Sequence, residues 1–324
     1  MKFSKKSLKK LFKGVVCFEE DGAYITPRRY SKAQIDYMAD EKYDWGWRMY
    51  AGFTGGIRME FKTDAERLSF DYRTSHSHER GNTVDLYVNG VLTDVYYIEN
   101  RLKGRVEFDL PKGEKLVTVY LPGESKLEIK NLTVDGRYKS VKDKGQRVLV
   151  IGDSITQGAG PDIASASYIN GLQRRTGYQF LDQGIGGYRF EPKDLMRVDG
   201  FEPDKIMVFL GTNYYEAECL ETCGFDYEKS TFEFFERLRE IYPTTPVLCV
   251  TPLWRTRDLN MDRLRWCADT IKRACENHQG ILVVDGFDMM PNVVACLADG
   301  IHPSTYGSEL LAQNLAKFMK DNRF

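Results

Sequence analysis

The chain has 324 residues, 42% of them hydrophobic and 29% charged, the balance of a folded globular protein. With 46 basic and 47 acidic side chains the formal charge is −1, which excludes a strong overall field for gathering nucleic acid or an anionic membrane. The length exceeds what one hydrophobic core usually organises, so two domains are expected.

The chain opens with "MKFSKKSLKKLFKGVVCF", a basic stretch whose apolar run is broken by Lys13 and followed at once by acidic residues. That pattern predicts a short amphipathic helix rather than a leader, and no uncharged stretch elsewhere reaches membrane-spanning length. From about residue 14 to 138 the rhythm is strand-like. "VDLYVNGVLTDVYYI" alternates around Asn89-Gly90, the signature of a tight hairpin. "GIRMEF", "RLSFDYR", "GRVEFDL", "KLVTVYL" and "KLEIKNLTV" keep the same two-residue period, with "TDAE", "PKGE" and "PGES" as turns. Residues 1–140 are therefore expected to form a β-sandwich of jelly-roll-like kind, with no long helix.

A charged, turn-rich connector spans 135–146, and over 146–324 the rhythm changes. "RVLVIG", "YQFLDQG", "KIMVFLG", "PVLCVTP" and "ILVVDG" are short and nearly continuous apolar runs, as strands covered on both faces require. Helical segments lie between and after them: "ASYINGLQRRTG", "STFEFFERLREIY", "MDRLRWCADTIKRACENH" and "STYGSELLAQNLAKFMKD". The prediction is a three-layer α/β/α domain with a five-stranded parallel sheet, whose ligands sit beyond the carboxyl ends of the strands.

Those strand ends carry the chemistry. The first delivers Asp153-Ser154, the second "GIGGYR", the third "GTNYY", the fourth "TPLWR", and the fifth leads on to "DGIHPS". A serine hydroxyl needs a neighbouring base to become a nucleophile. Of the four histidines, His278 ends a helix and His76 and His78 sit in a loop between strands, where no acidic or sulfur partner completes a metal site. His302 stands three residues after Asp299, so a turn at Gly300 lets the carboxylate orient one ring nitrogen while the other faces Ser154. Three donors are available for a developing oxyanion: the backbone N–H of Ser154, a glycine N–H in "GIGG", and the Asn213 amide. Tyr188, Tyr214, Tyr215 and Trp254 offer aromatic faces near the strand ends, with Arg189 and Arg255 as polar contacts, and packing or surface pairing is the competing use of each.

The seven cysteines (17, 219, 223, 249, 267, 275 and 296) form no paired framework, and Cys219 and Cys223 lack a second ligand pair. Reduced thiols in a cytoplasmic protein are expected.

Taken together, "GDSIT", "DQGIGGYR", "GTNYY" and "DGIHP" resemble the four blocks of the SGNH (GDSL-type) hydrolase superfamily over roughly 146–324. The resemblance implies Ser154 as nucleophile, Asp299 and His302 as its partners, and Ser154, Gly187 and Asn213 as oxyanion donors. It departs where Tyr214 follows Asn213 in place of the usual aspartate, which puts the local hydrogen-bond network in question. A strand-rich front half before such a domain is similar to carbohydrate esterase family 2, which implies removal of acetyl groups from sugar hydroxyls. The substrate expected is thus a small-molecule or oligosaccharide ester, with no metal or organic cofactor and no nucleic-acid or membrane partner. A thioesterase or lysophospholipase of the same fold, or a non-catalytic carbohydrate-binding protein, are the alternatives.

Overall fold

The computed structural model describes residues 2–40, 45–74, 80–99, 101–213, 224–257 and 260–324. In the front half the strands are β1 (Phe12–Lys13), β2 (Cys17–Asp21), β3 (Tyr24–Arg28), β4 (Arg58–Thr63), β5 (Arg67–Thr74), β6 (Thr83–Val88), β7 (Val91–Tyr97), β8 (Lys103–Asp109), β9 (Lys115–Tyr120), β10 (Leu127–Val134) and β11 (Tyr138–Ser140). They build two antiparallel sheets, ordered β1-β4-β9-β6-β7 with β11 beside β4, and β2-β3-β10-β5-β8. Alternate side chains of both sheets meet in one core, with Met59, Phe61, Leu86 and Val119 from the first against Leu68, Phe70, Val106 and Ile129 from the second. The hairpin forms at Asn89-Gly90, where both residues have positive φ (50° and 83°) as its turn type demands.

Among the described residues three short helices interrupt this half: α1 (Lys5–Lys9), α2 (Lys32–Asp40) and α3 (Trp45–Ala51). The basic amphipathic start is thus a single short turn of helix, with Ser4 as its cap. Helices α2 and α3 lie outside the expected all-strand pattern. They are too brief to show a helical period, and their apolar residues serve another core: Met38, Trp47 and Ala51 pack with the C-terminal half.

That half begins with β12 (Arg147–Gly152) and continues through α4 (Ser154–Gln157), α5 (Tyr168–Thr176), β13 (Gln179–Gly184), β14 (Lys205–Phe209), α6 (Tyr227–Ile241), β15 (Val247–Val250), α7 (Met261–Glu276), β16 (Ile281–Val284) and α8 (Thr305–Asp321). The sheet is parallel throughout, in the order β13-β12-β14-β15-β16. Successive residues of each strand face opposite cores, so Leu149, Ile151, Ile206 and Val208 pack under α6 and α7, while Val148, Val150, Met207 and Phe209 pack under α5 and α8. The chain passes from β12 to β13 on one side and then crosses back over β12 to β14 on the other, which makes the carboxyl end of β12 the switch point of the sheet. No described helix is long and apolar enough to cross a membrane.

Candidate active site

Residue Ser154 stands at that switch point, as the first residue of α4. Asp153 caps the helix, its Oδ1 accepting from the Ile155 N–H at 3.0 Å. The loop before α8 brings up two further side chains. It is closed by an N–H···O bond from Ala298 to the His302 carbonyl (2.8 Å) and turns at Gly300, whose φ of +90° suits glycine. Asp299 Oδ1 accepts from the backbone N–H groups of Ile301 and His302 at 3.0 and 2.9 Å, and its Oδ2 lies 2.8 Å from His302 Nδ1. The opposite ring nitrogen, Nε2, lies 2.7 Å from Ser154 Oγ. With Nδ1–H donating to the carboxylate, Nε2 presents its lone pair to the hydroxyl.

The two carboxyls near this imidazole differ. Partial burial raises Asp299, but the backbone N–H and ring of His302 and the Ile301 N–H outweigh it and hold the group at about 2. Asp153 is wholly buried, and desolvation pushes it up to about 7 against the pull of the Ile155 N–H and of His302.

Ser154 and His302 open onto a cavity of about 500 Å³ that Gly187 and Asn213 also line. Of the two glycines, Gly186 commits its N–H to Gln157 Oε1 at 2.8 Å. Asn213 Nδ2 donates to the Tyr188 carbonyl at 3.0 Å, which fixes the amide in the wall of the same cavity. Candidate nucleophile, base and donors therefore surround one space, the arrangement that acyl transfer requires.

Residues 150–310 match the GDSL-like Lipase/Acylhydrolase family. The chain is an ester hydrolase, and its second half is similar to that family. No curated protein resembles the hydrolase in sequence. Solved structures resemble it over both halves. A Bacteroides ovatus protein described as a GDSL-like lipase is 18% identical, with 96% of this chain and 95% of that one covered and a TM-score of 0.76. SsfX3, a salicylyl-acyltransferase from a tetracycline biosynthetic pathway, is 17% identical, with 96% and 94% covered and a TM-score of 0.73. A family two carbohydrate esterase from Clostridium thermocellum, solved with cellohexaose, is 15% identical, with 83% and 93% covered and a TM-score of 0.64. At these identities the likeness is one of fold.

Other residues expected at the site lie elsewhere in the hydrolase. Tyr188 does not offer its ring to the cavity: it is buried edge-on to Trp47 with centroids 5.1 Å apart, its hydroxyl 3.4 Å from Asp194 Oδ2. Arg189 pairs with Glu191 at 2.5 Å and stacks its guanidinium over Phe225 and Trp47, so packing claims it. Trp254 is half-buried against the core on the α5–α8 face and is not part of the cavity wall. Arg255 is buried, donating to the Thr212 carbonyl at 3.2 Å. Tyr214, Tyr215, His76, His78, Cys219 and Cys223 fall outside the described residues.

In their place the cavity is walled by Gln157 and by four residues of the front half, Gly46, Trp47, Tyr50 and Glu124. Trp47 and Tyr50 stand three apart on α3, one helical face, but a seven-residue helix inside a strand-rich stretch leaves little periodic signal. Glu124 looks like an ordinary turn residue in "PGES", yet it is buried. Among the described residues no group of three or more His, Cys, Asp or Glu side chains is placed to hold a metal ion.

Proposed function

We propose that this hydrolase is a serine esterase that removes short acyl groups, acetyl foremost, from carbohydrate hydroxyls. The hydrolase domain is residues 146–324, and residues 1–140 are a jelly-roll-like accessory domain that completes the wall of the site. The observation that carries the reading is the chain of contacts Ser154 Oγ to His302 Nε2 to Asp299 Oδ2, at 2.7 and 2.8 Å, opening onto a cavity shared with Gly187 and Asn213.

Ser154 Oγ attacks the ester carbonyl while its proton passes to His302 Nε2, and Asp299 steadies the imidazolium that forms. The N–H groups of Ser154 and Gly187 and the Asn213 amide receive the oxyanion, each such donor being typically worth about 2.7–4 kcal/mol. Collapse of the tetrahedral intermediate expels the alcohol, which takes the proton back from His302. Water, activated by the same ring, then frees the acyl group from Ser154.

Several features support a sugar ester. The wall combines the aromatic rings of Trp47 and Tyr50 with the polar Glu124 and Asn213, a mixture suited to a sugar's apolar faces and hydroxyl rim. Structural neighbours include the esterase solved with cellohexaose and an acetyl xylan esterase from Butyrivibrio proteoclasticus. The described cysteines, Cys17, Cys249, Cys267, Cys275 and Cys296, are all free, which fits a reducing compartment, and we place the enzyme in the cytoplasm.

Hydrolysis of p-nitrophenyl acetate tests the chemistry: Ser154→Ala loses at least about 10³-fold in turnover. A variant retaining a tenth of wild-type activity removes Ser154 from the mechanism. A panel of acetylated oligosaccharides, acyl thioesters and lysolipids tests the substrate, and preference for either of the latter two replaces the sugar ester with that class.

A further inference from the structure

We propose that Gln157 is a positioning residue through which the strand-rich half sets the oxyanion donors, an inference that rests on the serine esterase reading above. Gln157 ends α4, three residues after Ser154, with its side chain buried (2% exposed). The amide works in two directions at once. Its Oε1 accepts from the Gly186 N–H at 2.8 Å, and its Nε2 donates to Glu124 Oε1 at 2.9 Å. Glu124 belongs to the loop joining β9 to β10, so one side chain ties the front half to the glycine turn after β13.

The backbone of the same residue is gripped as well. A Cβ on Gly55 would stand 2.4 Å from the Gln157 carbonyl oxygen, and one on Gly123 2.9 Å from it, so two front-half segments press on α4 at this point. Only glycine permits that approach.

Two of the three candidate donors hang on the turn that Gln157 anchors. The turn runs from Ile185 to Tyr188 and closes with an N–H···O bond from Tyr188 to Ile185 at 3.0 Å. Gly187 lies inside it, and the Tyr188 carbonyl at its end receives Asn213 Nδ2 at 3.0 Å. A shift of Gly186 therefore displaces the Gly187 N–H directly and the Asn213 amide through Tyr188. Glutamine suits the position because it offers an acceptor and a donor on one planar group. Methionine supplies neither, and glutamate sets a second carboxylate against Glu124.

The test uses the full-length chain, with kcat and KM for p-nitrophenyl acetate, the rate of phosphonate labelling of Ser154, and Tm measured together. Gln157→Met and Gln157→Glu are each expected to lower kcat and labelling in parallel by roughly 10- to 100-fold, with KM within about twofold and no comparable fall in Tm. The exchanged pair Gln157→Glu with Glu124→Gln recovers most of the lost kcat, since the new amide at 124 donates to the new carboxylate at 157, which still accepts from Gly186. The proposal is overturned by single variants within threefold of wild-type kcat, by losses confined to KM or explained by a matching fall in Tm, or by an exchanged pair no better than Gln157→Glu or unable to fold. Ser154→Ala in the same assay separates the two claims. If it retains turnover, the esterase reading fails. If it is inactive while the Gln157 variants match wild type, only the positioning role fails.

Discussion

Asp299 and Asp153 both neighbour the His302 imidazole, and their surroundings drive them apart, to about 2 and about 7. Such a split separates roles. Asp299, bonded to two N–H groups and the ring, stays an anion through any practical assay range. Asp299→Asn should retain the fold and lose roughly two to four orders of magnitude in kcat, because the amide neither holds the Nδ1–H tautomer nor stabilises the imidazolium. Asp153 behaves oppositely, as a matter of stability. Its native-state affinity for a proton exceeds that of the unfolded chain, so its contribution is best below about pH 4 and is lost as pH rises towards 7. Asp153→Asn keeps an oxygen to cap Ile155 and removes the buried charge. Its unfolding free energy relative to wild type should therefore climb between pH 4 and 7 and level off above, by an amount on the order of a few kcal/mol. A pH-independent difference would show that Asp153 titrates normally.

At the scale of elements, legibility follows burial. "RVLVIG" and "KIMVFLG" announce β12 and β14 because strands covered on both faces must be apolar at every position, and no helix of that length carries such a run. The helices α5 to α8 declare themselves through one apolar face each. The hairpin at Asn89-Gly90 is equally plain, since its turn needs two residues with positive φ. Gly90→Ala tests that element in isolation: an added Cβ meets nothing within 4 Å, so the cost is conformational, roughly 1–2 kcal/mol in unfolding free energy, with kcat/KM unchanged. Loss of activity there would tie the hairpin to catalysis. Helices α2 and α3 are illegible for the converse reason. Their apolar residues face the other half of the molecule, so no local period records them, and Trp47 and Tyr50 go unnoticed with them. The order of the four motif blocks reveals Ser154, Asn213, Asp299 and His302. Tyr188 and Trp254 are placed near the site by chain position alone, and chain position does not say which way a ring points.

At the scale of the molecule, the two halves are joined by buried polar bonds as well as apolar packing. Arg29, at the end of β3, is wholly buried and donates to Asp182 Oδ1 and to the Asp182 carbonyl at 3.0 Å each, to the Phe53 carbonyl at 2.9 Å and to the Tyr50 carbonyl at 2.8 Å. Nearby, Gln34 Nε2 and Gln183 Oε1 are 3.0 Å apart. One guanidinium thus holds β13, whose end leads into the Gly186-Gly187 turn, and α3, which walls the cavity. Burial raises Asp182 to about 6 even with Arg29 opposing it, and its Oδ2 has no hydrogen-bond partner among the described residues. Removing the arginine should then be expensive in a pH-dependent way. Arg29→Met leaves an unpaired buried carboxylate, with an expected loss of about 3–5 kcal/mol at pH 8. At pH 5 the loss should be smaller, because the orphaned Asp182 takes up a proton more readily in the native state than in the unfolded chain. Arg29→Met with Asp182→Asn removes the charge and should recover part of the stability at pH 8 but little at pH 5. Urea midpoints at the two pH values, followed by tryptophan fluorescence and by loss of esterase activity, read this directly. Coincident transitions in the wild type and a split or early loss of activity in Arg29→Met are the expected result, since the variant loosens the joint before either core. A variant that keeps both midpoints would mean that apolar packing alone holds the halves in register.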